Sequence, residues 1–170
     1  MDIEKLKNQL RIDEGVKYCV YLDSEGLLTC GVGHLLTEKD IEYKQYKHLK
    51  LKFDDVKLKI KKERVEELLD QDVSIAIKDC CRVFDGKKLP DFNKMPDELC
   101  QIIANMMFNL GCRRFLKFRR FIKAIKNKDL CNAAHEMEDS KWYKQVGNRS
   151  IRLKKRMLAL ANCNIAYSTL

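Results

Sequence analysis

Apolar residues recur every three or four positions at the start of the chain, and this spacing predicts an amphipathic helix over residues 2–14. Its apolar face consists of Ile3, Leu6 and Leu10. Asp2 is placed to cap the first turn. Gly15 is placed to end the helix, because glycine readily adopts the left-handed backbone of a helix terminus.

The next segment has a pattern typical of short strands. Residues 18–21 and 27–30 predict a β-hairpin whose turn contains Gly26, and residues 35–36 predict a third short strand. Residues 37–40 have the composition of a helix start.

A long amphipathic helix is predicted from about Lys61, at the end of a lysine-rich stretch over 44–64 with a loop near residues 54–55. One stripe of this helix consists of Val65, Leu69, Asp72, Ala76, Cys80 and Val83. Gly86 and Pro90 are expected to stop it.

Everything that follows has helical periodicity. Helices are predicted over residues 96–110 (ended by Gly111), 115–126, 130–137, 140–146 and 148–162. Residues 99–110 are apolar nearly all round, which predicts a central buried helix.

Together these elements predict an α+β fold that is mostly helical and two-lobed. A small N-terminal lobe over about 14–60 holds the hairpin and third strand, and the long helix joins it to a helical C-terminal lobe. Residues 1–13 and 61–170 are the helical parts of this single domain, 1–170. A groove between two such lobes is a natural ligand site.

The charge balance restricts the partners. The chain has 34 basic and 25 acidic residues, a net charge of +9, which favours anionic partners such as nucleic acid, anionic membranes or the bacterial wall. The N-terminus shows no apolar signal-peptide core, and no run reaches the roughly 20 apolar residues of a membrane-spanning helix. We therefore expect synthesis in a cytosol and no transmembrane segment.

Eight cysteines are the unusual feature of the composition. An even number would suit a disulfide framework, but no export signal accompanies it, and most of these residues lie in apolar or helical patterns. Zinc binding is disfavoured because no C-x-x-C pair occurs. Reduced and mostly buried thiols are therefore expected, with no metal and no cofactor.

Two carboxyl groups and a hydroxyl stand out as candidate chemistry. Glu14 lies at the end of the first helix, where the helix dipole favours its protonated form, and Asp23 lies nine residues later at the hairpin turn. Glycoside hydrolysis needs such a pair, one acid and one base or nucleophile. Thr29 on the returning strand is placed to hold a water beside Asp23. Taken singly, each has a plain structural interpretation: a surface charge, a turn former and a strand residue.

The combined motif resembles the lysozymes of T-even bacteriophages, glycoside hydrolase family twenty-four. The matching strings are Leu10-Arg11-Ile12-Asp13-Glu14-Gly15, Tyr21-x-Asp23-x-Glu25-Gly26 and Thr29-x-Gly31-x-Gly33-His34-Leu35-Leu36-Thr37. Further matches are Asp70-Gln71-Asp72-Val73, Asn105-Met106-x-Phe108-x-x-Gly111, Ser140-x-Trp142-Tyr143-x-Gln145 and Asn148-Arg149. The resemblance covers almost the whole chain.

The resemblance implies a muramidase that cuts the β-1,4 bond between N-acetylmuramic acid and N-acetylglucosamine with inversion. Glu14 resembles the general acid, Asp23 the carboxylate that activates water with Thr29, and Arg149 the partner that orients the acid. An inverting enzyme needs room for that water, so the two carboxyl groups should stand roughly 6.5–9.5 Å apart.

Other matching positions imply supporting roles. Leu35 and Phe108 resemble groove residues that contact the sugar chain, and His34 with Asp72 resembles a structural ion pair. The family has small polar residues where this chain has Phe121 and Glu136, so contacts to the substrate's peptide or distal sugars are expected to differ. Trp142, between two predicted helices, is expected to be a core residue.

Two alternatives stay open from the sequence. A lytic transglycosylase shares a related fold but uses one Glu and no water-activating carboxylate, so Asp23 with Thr29 disfavours it. A non-catalytic cationic protein that binds walls or membranes would suit the basic run at 113–128, which has eight Lys or Arg and no acid. The expected partners are peptidoglycan and an anionic wall surface, with no specific nucleic acid, and the chain is expected to act as a monomer. Its site of action would be the bacterial wall, reached from the host cytoplasm if a phage encodes it.

Overall fold

The computed structural model describes residues 1–23, 25–48 and 58–163. Two compact units divide the chain: Lys7–Ser74 is one, and Met1–Leu6 with Ile75–Leu170 is the other. The predicted loop near residues 54–55 lies outside the described residues. In the described part, the mostly helical α+β fold with one small sheet is confirmed.

Helix α1 spans Ile3–Glu14 and crosses from one unit into the other. The side chain of Asp2 accepts a hydrogen bond from the backbone N–H of Lys5 at 2.9 Å, as a helix cap should. Gly15 follows the helix with φ +72°, the left-handed conformation that only glycine adopts without strain.

The unit Lys7–Ser74 contains a three-stranded antiparallel sheet in the order β1-β2-β3, formed by Lys17–Leu22, Leu28–Gly31 and His34–Leu35. The register is irregular between Lys17 and Tyr21, where the pairing with β2 shifts. An isolated bridge between Cys19 and Lys59 adds a short contact on the other side of β1.

Helix α2 spans Ile41–His48 and begins directly after the start predicted at residues 37–40, with the Asp40 carbonyl accepting a hydrogen bond from the backbone N–H of Lys44. The side chain of Asp40 accepts hydrogen bonds from the backbone N–H and the hydroxyl of Thr37, at 2.7 and 2.8 Å. These bonds close a turn, and the helix begins only after it.

Helix α3 spans Lys62–Val83 and supplies the core of the first unit from its N-terminal half. Val65, Leu68, Leu69 and Val73 are almost completely buried. A β-carbon on Gly31 would lie only 3.2 Å from Cγ1 of Val65, so the absence of a side chain at Gly31 lets β2 approach α3 closely.

The unit with Ile75–Leu170 is helical apart from its connections. A 3₁₀ turn at Phe92–Lys94 precedes five helices: α4 (Asp97–Phe115), α5 (Arg119–Lys126), α6 (Leu130–Glu138), α7 (Lys141–Val146) and α8 (Asn148–Asn162). The predicted central helix is confirmed, since α4 is buried continuously from Leu99 to Met107.

Two boundaries in this unit differ from prediction. Gly111 breaks α4 with φ +69° and ψ 157°, as expected, but another helical turn follows it as far as Phe115. The helix predicted to begin at Phe115 begins at Arg119 instead. Phe115 is fully buried, with its ring edge-on to Phe84 and to Phe121 at about 6 Å between centroids, so its apolar side chain belongs to the core of the unit.

All eight cysteines are free thiols, but the expectation that most are buried was wrong. Cys30, Cys80 and Cys100 are buried, Cys131 and Cys163 are exposed, and the other three are intermediate. No helix in the described ranges has both the length and the apolar character needed to cross a membrane.

Candidate active site

Glu14 is the last residue of α1, and its side chain is half-buried. The tight connection between β2 and β3 passes over it. Gly33 has φ +72°, and a β-carbon added there would lie 3.4 Å from Oε2 of Glu14. A side chain at this position would therefore be in van der Waals contact with the Glu14 carboxyl group.

Asp23 follows β1 and is both a turn former and a positioned carboxylate. Its Oδ1 accepts hydrogen bonds from the backbone N–H groups of Glu25 and Leu27, at 2.8 and 2.9 Å. Its own backbone N–H donates to the Leu27 carbonyl at 3.0 Å. These bonds fix the orientation of the carboxylate and use one of its two oxygens.

Thr29 is only 3% exposed and lies in β2. Its hydroxyl donates a hydrogen bond to the Leu27 carbonyl at 3.1 Å, which leaves the lone pairs of Oγ1 to accept one from another group. Leu27 therefore ties Asp23 and Thr29 together through its backbone.

The sheet register places three site residues in one row. Tyr21 in β1 lies opposite Thr29, and Thr29 lies opposite Leu35 in β3. Directly opposed residues project from the same face of a sheet, so these three side chains share one face. Leu35 is 47% exposed, as a side chain that contacts a ligand must be.

Tyr21 is a site residue to which the sequence reasoning gave no role. Burial raises the pKa of its phenol above the ordinary value, and the negative charges of Glu14 and Asp23 raise it further. The ammonium of Lys17 lies 3.7 Å from the centre of its ring. A neutral Tyr21 is a hydrogen-bond donor beside both carboxyl groups. Alternation along β1 indicates the face of the strand on which Tyr21 lies. It does not indicate which residue lies opposite Tyr21, because the register shifts within β1.

His34 and Asp72 lie within hydrogen-bond distance, with 2.7 Å between Nδ1 and Oδ2. The other ring nitrogen, Nε2, lies 3.4 Å from Oδ1 of Asp40. Burial by itself lowers the pKa of His34, but the hydrogen bond and charge of Asp72, together with Asp40, outweigh burial and raise the pKa above its usual value. The imidazole is thus held between two carboxylates, which favour its protonated form.

Phe108 and Arg149 belong to the other unit. Phe108 lies in α4 and is partly exposed. Arg149 lies in the first turn of α8 and is 5% exposed. Its Nε donates to Oδ1 of Asn105 at 2.9 Å, and its Nη2 donates to the Asn105 carbonyl at 3.1 Å. The guanidinium is therefore held rigidly by α4.

The two positions that differ from the family pattern have different surroundings. Phe121 is 1% exposed and packs on Phe115. A phenylalanine where the family has a small polar residue therefore adds an apolar side chain to the core. Glu136 in α6 is partly exposed. Trp142 is 4% exposed and donates its indole N–H to Oδ1 of Asn109 at 2.8 Å, so it is a core residue as predicted.

Among the described residues, no group of three or more His, Cys, Asp or Glu side chains is arranged as ligands for a metal ion. Among the described residues of the Lys7–Ser74 unit, the site combines the carboxyl groups of Glu14 and Asp23, the Thr29 hydroxyl and the Tyr21 phenol.

The chain is similar to known proteins over most of its length. The family model described as phage lysozyme matches residues 11–159. The proteins described as probable T4-type lysozyme 2 and probable T4-type lysozyme 1 of Dictyostelium discoideum are each 33% identical over 159 residues, which cover 89% of this chain and 92% of each relative. The pre-baseplate central spike protein Gp5 of Enterobacteria phage T4 is 24% identical over 161 residues, 87% of this chain and 26% of that protein.

Proposed function

The chain belongs to the phage lysozyme family and is a glycoside hydrolase of the lysozyme type; on that premise we propose that it hydrolyses the β-1,4 bond between N-acetylmuramic acid and N-acetylglucosamine of peptidoglycan with inversion at the anomeric carbon. The observation that carries the proposal is the arrangement around Leu27, whose backbone holds both Asp23 and Thr29 in fixed orientations. The enzyme would act at the bacterial wall.

Glu14 is the general acid. It donates its proton to the glycosidic oxygen as the bond from that oxygen to the anomeric carbon breaks. Gly33 supports this role, because it places no side-chain atom against the carboxyl group. Arg149, whose guanidinium Asn105 holds, matches the position to which the family resemblance gives the role of orienting the acid.

Asp23 and Thr29 prepare the attacking water. The water donates one hydrogen bond to Oγ1 of Thr29 and its other proton to the Asp23 oxygen that the turn leaves unused, while its oxygen attacks the anomeric carbon. Attack from the face opposite the leaving group inverts the configuration. Solvent then removes the proton from Asp23 and returns one to Glu14. Leu35 and Phe108 are proposed to contact the sugar chain.

The decisive experiment is product analysis on purified peptidoglycan. The wild-type protein should release reducing ends, and proton NMR during the first minutes should show the α-anomer of the new end. Glu14→Gln should lose activity by at least a hundredfold, since general acid catalysis typically contributes 10²–10⁴-fold. Glu25→Gln is the matched control, because Glu25 is an exposed carboxylate in the neighbouring turn.

Three results would contradict the proposal. Near wild-type hydrolysis by Glu14→Gln would remove that residue from the acid role. Anhydro-sugar products in place of reducing ends would identify a lytic transglycosylase. Asp23→Asn should be impaired more severely than Thr29→Ser, which keeps a hydroxyl, and the opposite order would reject the water-activating assignment.

A further inference from the structure

A second concave site lies within the unit that contains Ile75–Leu170. It is a pocket of about 660 Å³, a size typical of ligand sites. One wall carries four cations and no acid, Arg114, Lys117, Arg119 and Arg120. The other wall, from the end of α6 and the start of α7, carries Glu136, Asp139 and Lys141. None of the pocket's cations has a role in the proposed hydrolysis, although Phe121 and Glu136 of its lining lie where the family resemblance implies contacts to the substrate's peptide or distal sugars.

The carboxylates that line this pocket balance only part of its positive charge. Within the described part of the chain, none of its five Lys and Arg side chains forms an ion pair. Other cations of the same unit do, for example Arg82 with Asp79 at 2.9 Å and Lys154 with Glu138 at 2.5 Å. Five cations against two carboxylates leave an excess of three positive charges in one concavity, where the field is focused on an anion that enters.

The chemistry of the lining favours phosphate. Three of the cations are arginines, whose planar guanidinium groups can each donate two parallel hydrogen bonds to a pair of phosphate oxygens. Four of the cations lie within seven positions of the chain, 114–120. This spacing suits a polymer with a charge in every repeat unit better than a single ion.

The aromatic residues of the pocket argue against single-stranded nucleic acid, which binds by stacking its bases on exposed rings. Phe121 and Trp142 are 1% and 4% exposed. Phe118 is only partly exposed, and its ring meets Trp142 edge-on at 6.1 Å. These side chains form the floor of the pocket and offer little open ring surface to a base.

We propose that this pocket binds the phosphodiester groups of an anionic polyol-phosphate polymer attached to the bacterial wall, and so retains the enzyme at the wall independently of the glycan it cleaves. The choice of a wall polymer rests on the proposed function. The inference that the pocket binds phosphate does not depend on the proposed function.

The test compares two triple variants with the same net charge. The pocket variant is Arg114→Ala with Lys117→Ala and Arg120→Ala. The control variant is Arg113→Ala with Lys123→Ala and Lys126→Ala, three exposed cations of the same basic run that do not line the pocket. All six side chains are exposed, so both variants should fold, and circular dichroism melting verifies this.

Binding of poly(glycerol phosphate) is measured by titration calorimetry at physiological salt. The pocket variant should lose at least tenfold in affinity and the control variant less than threefold. Equal losses would overturn the proposal, because only net charge would then matter. Equal or tighter binding of poly-L-glutamate or of double-stranded DNA by the wild-type protein, with the same sensitivity to the pocket variant, would overturn the choice of a wall phosphate polymer.

Hydrolysis of peptidoglycan stripped of such polymers separates this proposal from the catalytic one. Both triple variants should hydrolyse it at the wild-type rate. If the pocket variant alone fails on this substrate, the pocket belongs to glycan recognition and the anchoring role is wrong. If the wild-type protein binds the polymer but hydrolyses nothing, the pocket stands and the catalytic proposal falls.

Discussion

The pairing of His34 with two carboxylates predicts a pH-dependent contribution to stability. Only 13% of the His34 side chain is exposed, and the values for Asp72 and Asp40 are 23% and 13%. His34→Asn removes the titrating ring and leaves both carboxylates without that partner. We expect this substitution to lower the free energy of unfolding while the hydrolytic rate stays close to wild type.

The exposure of the pair determines the magnitude. Exposed ion pairs contribute about 0–1 kcal/mol, whereas breaking a fully buried pair costs about 3–5 kcal/mol. A single charge-assisted hydrogen bond is worth about 1.5–3 kcal/mol. Since His34 is largely but not fully buried, we expect a loss of about 2 kcal/mol at neutral pH, which for a chain of this length lowers the melting temperature by about 4–8 °C.

The pH dependence has a definite sign. The pKa of His34 is raised in the folded protein, so its contribution is fully present below the unfolded value of about 6.5 and is lost as the pH rises through the folded value. The pKa of Asp40 is lowered: burial opposes this, but hydrogen bonds from Thr37 and the charge of His34 outweigh burial. The part that Asp40 contributes is therefore lost as the pH falls through its folded value.

The assay is urea unfolding of the wild-type protein and His34→Asn at pH values from 5 to 10. The difference in unfolding free energy should be largest near pH 6 and should shrink as the solution becomes alkaline. His135→Asn is the control, because His135 is exposed on α6. A difference that does not change with pH, or a loss of turnover larger than the loss of stability, would refute the assignment of His34 as a structural cation.

Three further outcomes follow from the geometry. Gly33→Ala should cost about 1–2 kcal/mol of stability through its left-handed backbone and should also slow hydrolysis. Gly26→Ala, equally left-handed but with nothing within 4 Å of the added carbon, should cost stability alone. Equal rates of hydrolysis by the two variants would be evidence against crowding of the acid. Glu42→Gln should destabilise by about 1–3 kcal/mol in urea unfolding, because the buried Glu42 carboxylate accepts hydrogen bonds from Nε and Nη2 of Arg64 at 2.8 and 3.2 Å, and an unchanged midpoint would contradict this. In maleimide labelling followed by mass spectrometry, the exposed Cys131 should react before any of the three buried thiols, and the reverse order would contradict the burial assignment.

Much of the fold could be predicted from local sequence. The capped start of α1, the glycine at its end and the continuous burial of α4 all follow from neighbouring residues. Local sequence is insufficient at residues whose side chains make tertiary contacts that the local pattern does not show. Phe115 has the apolar character of a helix face but fills the core between Phe84 and Phe121. Asp40 does precede α2, but its side chain also closes a turn with Thr37 and contacts His34, and the local pattern does not show that contact.

The candidate site likewise has residues that local sequence predicts and residues that it does not. Glu14, Asp23 and Thr29 lie within sixteen consecutive positions of one unit, so the motif that carries them also specifies the helix end, turn and strand that hold them. The role of Tyr21 could not be predicted, because its pairing with Thr29 depends on the register shift within β1. Arg149 is more than a hundred positions away, and nothing local to it indicates a partner.

These differences imply that the backbone, more than side-chain packing, sets the geometry of the proposed reaction. Two backbone N–H groups hold the Asp23 carboxylate, a carbonyl holds the Thr29 hydroxyl, and Gly33 places no side chain against Glu14. Backbone hydrogen bonds of a turn persist when exposed side chains around them change. Substitutions elsewhere on the hairpin surface should therefore alter substrate contacts before they alter the chemistry, whereas any residue with a side chain at Gly33 should affect the chemistry directly.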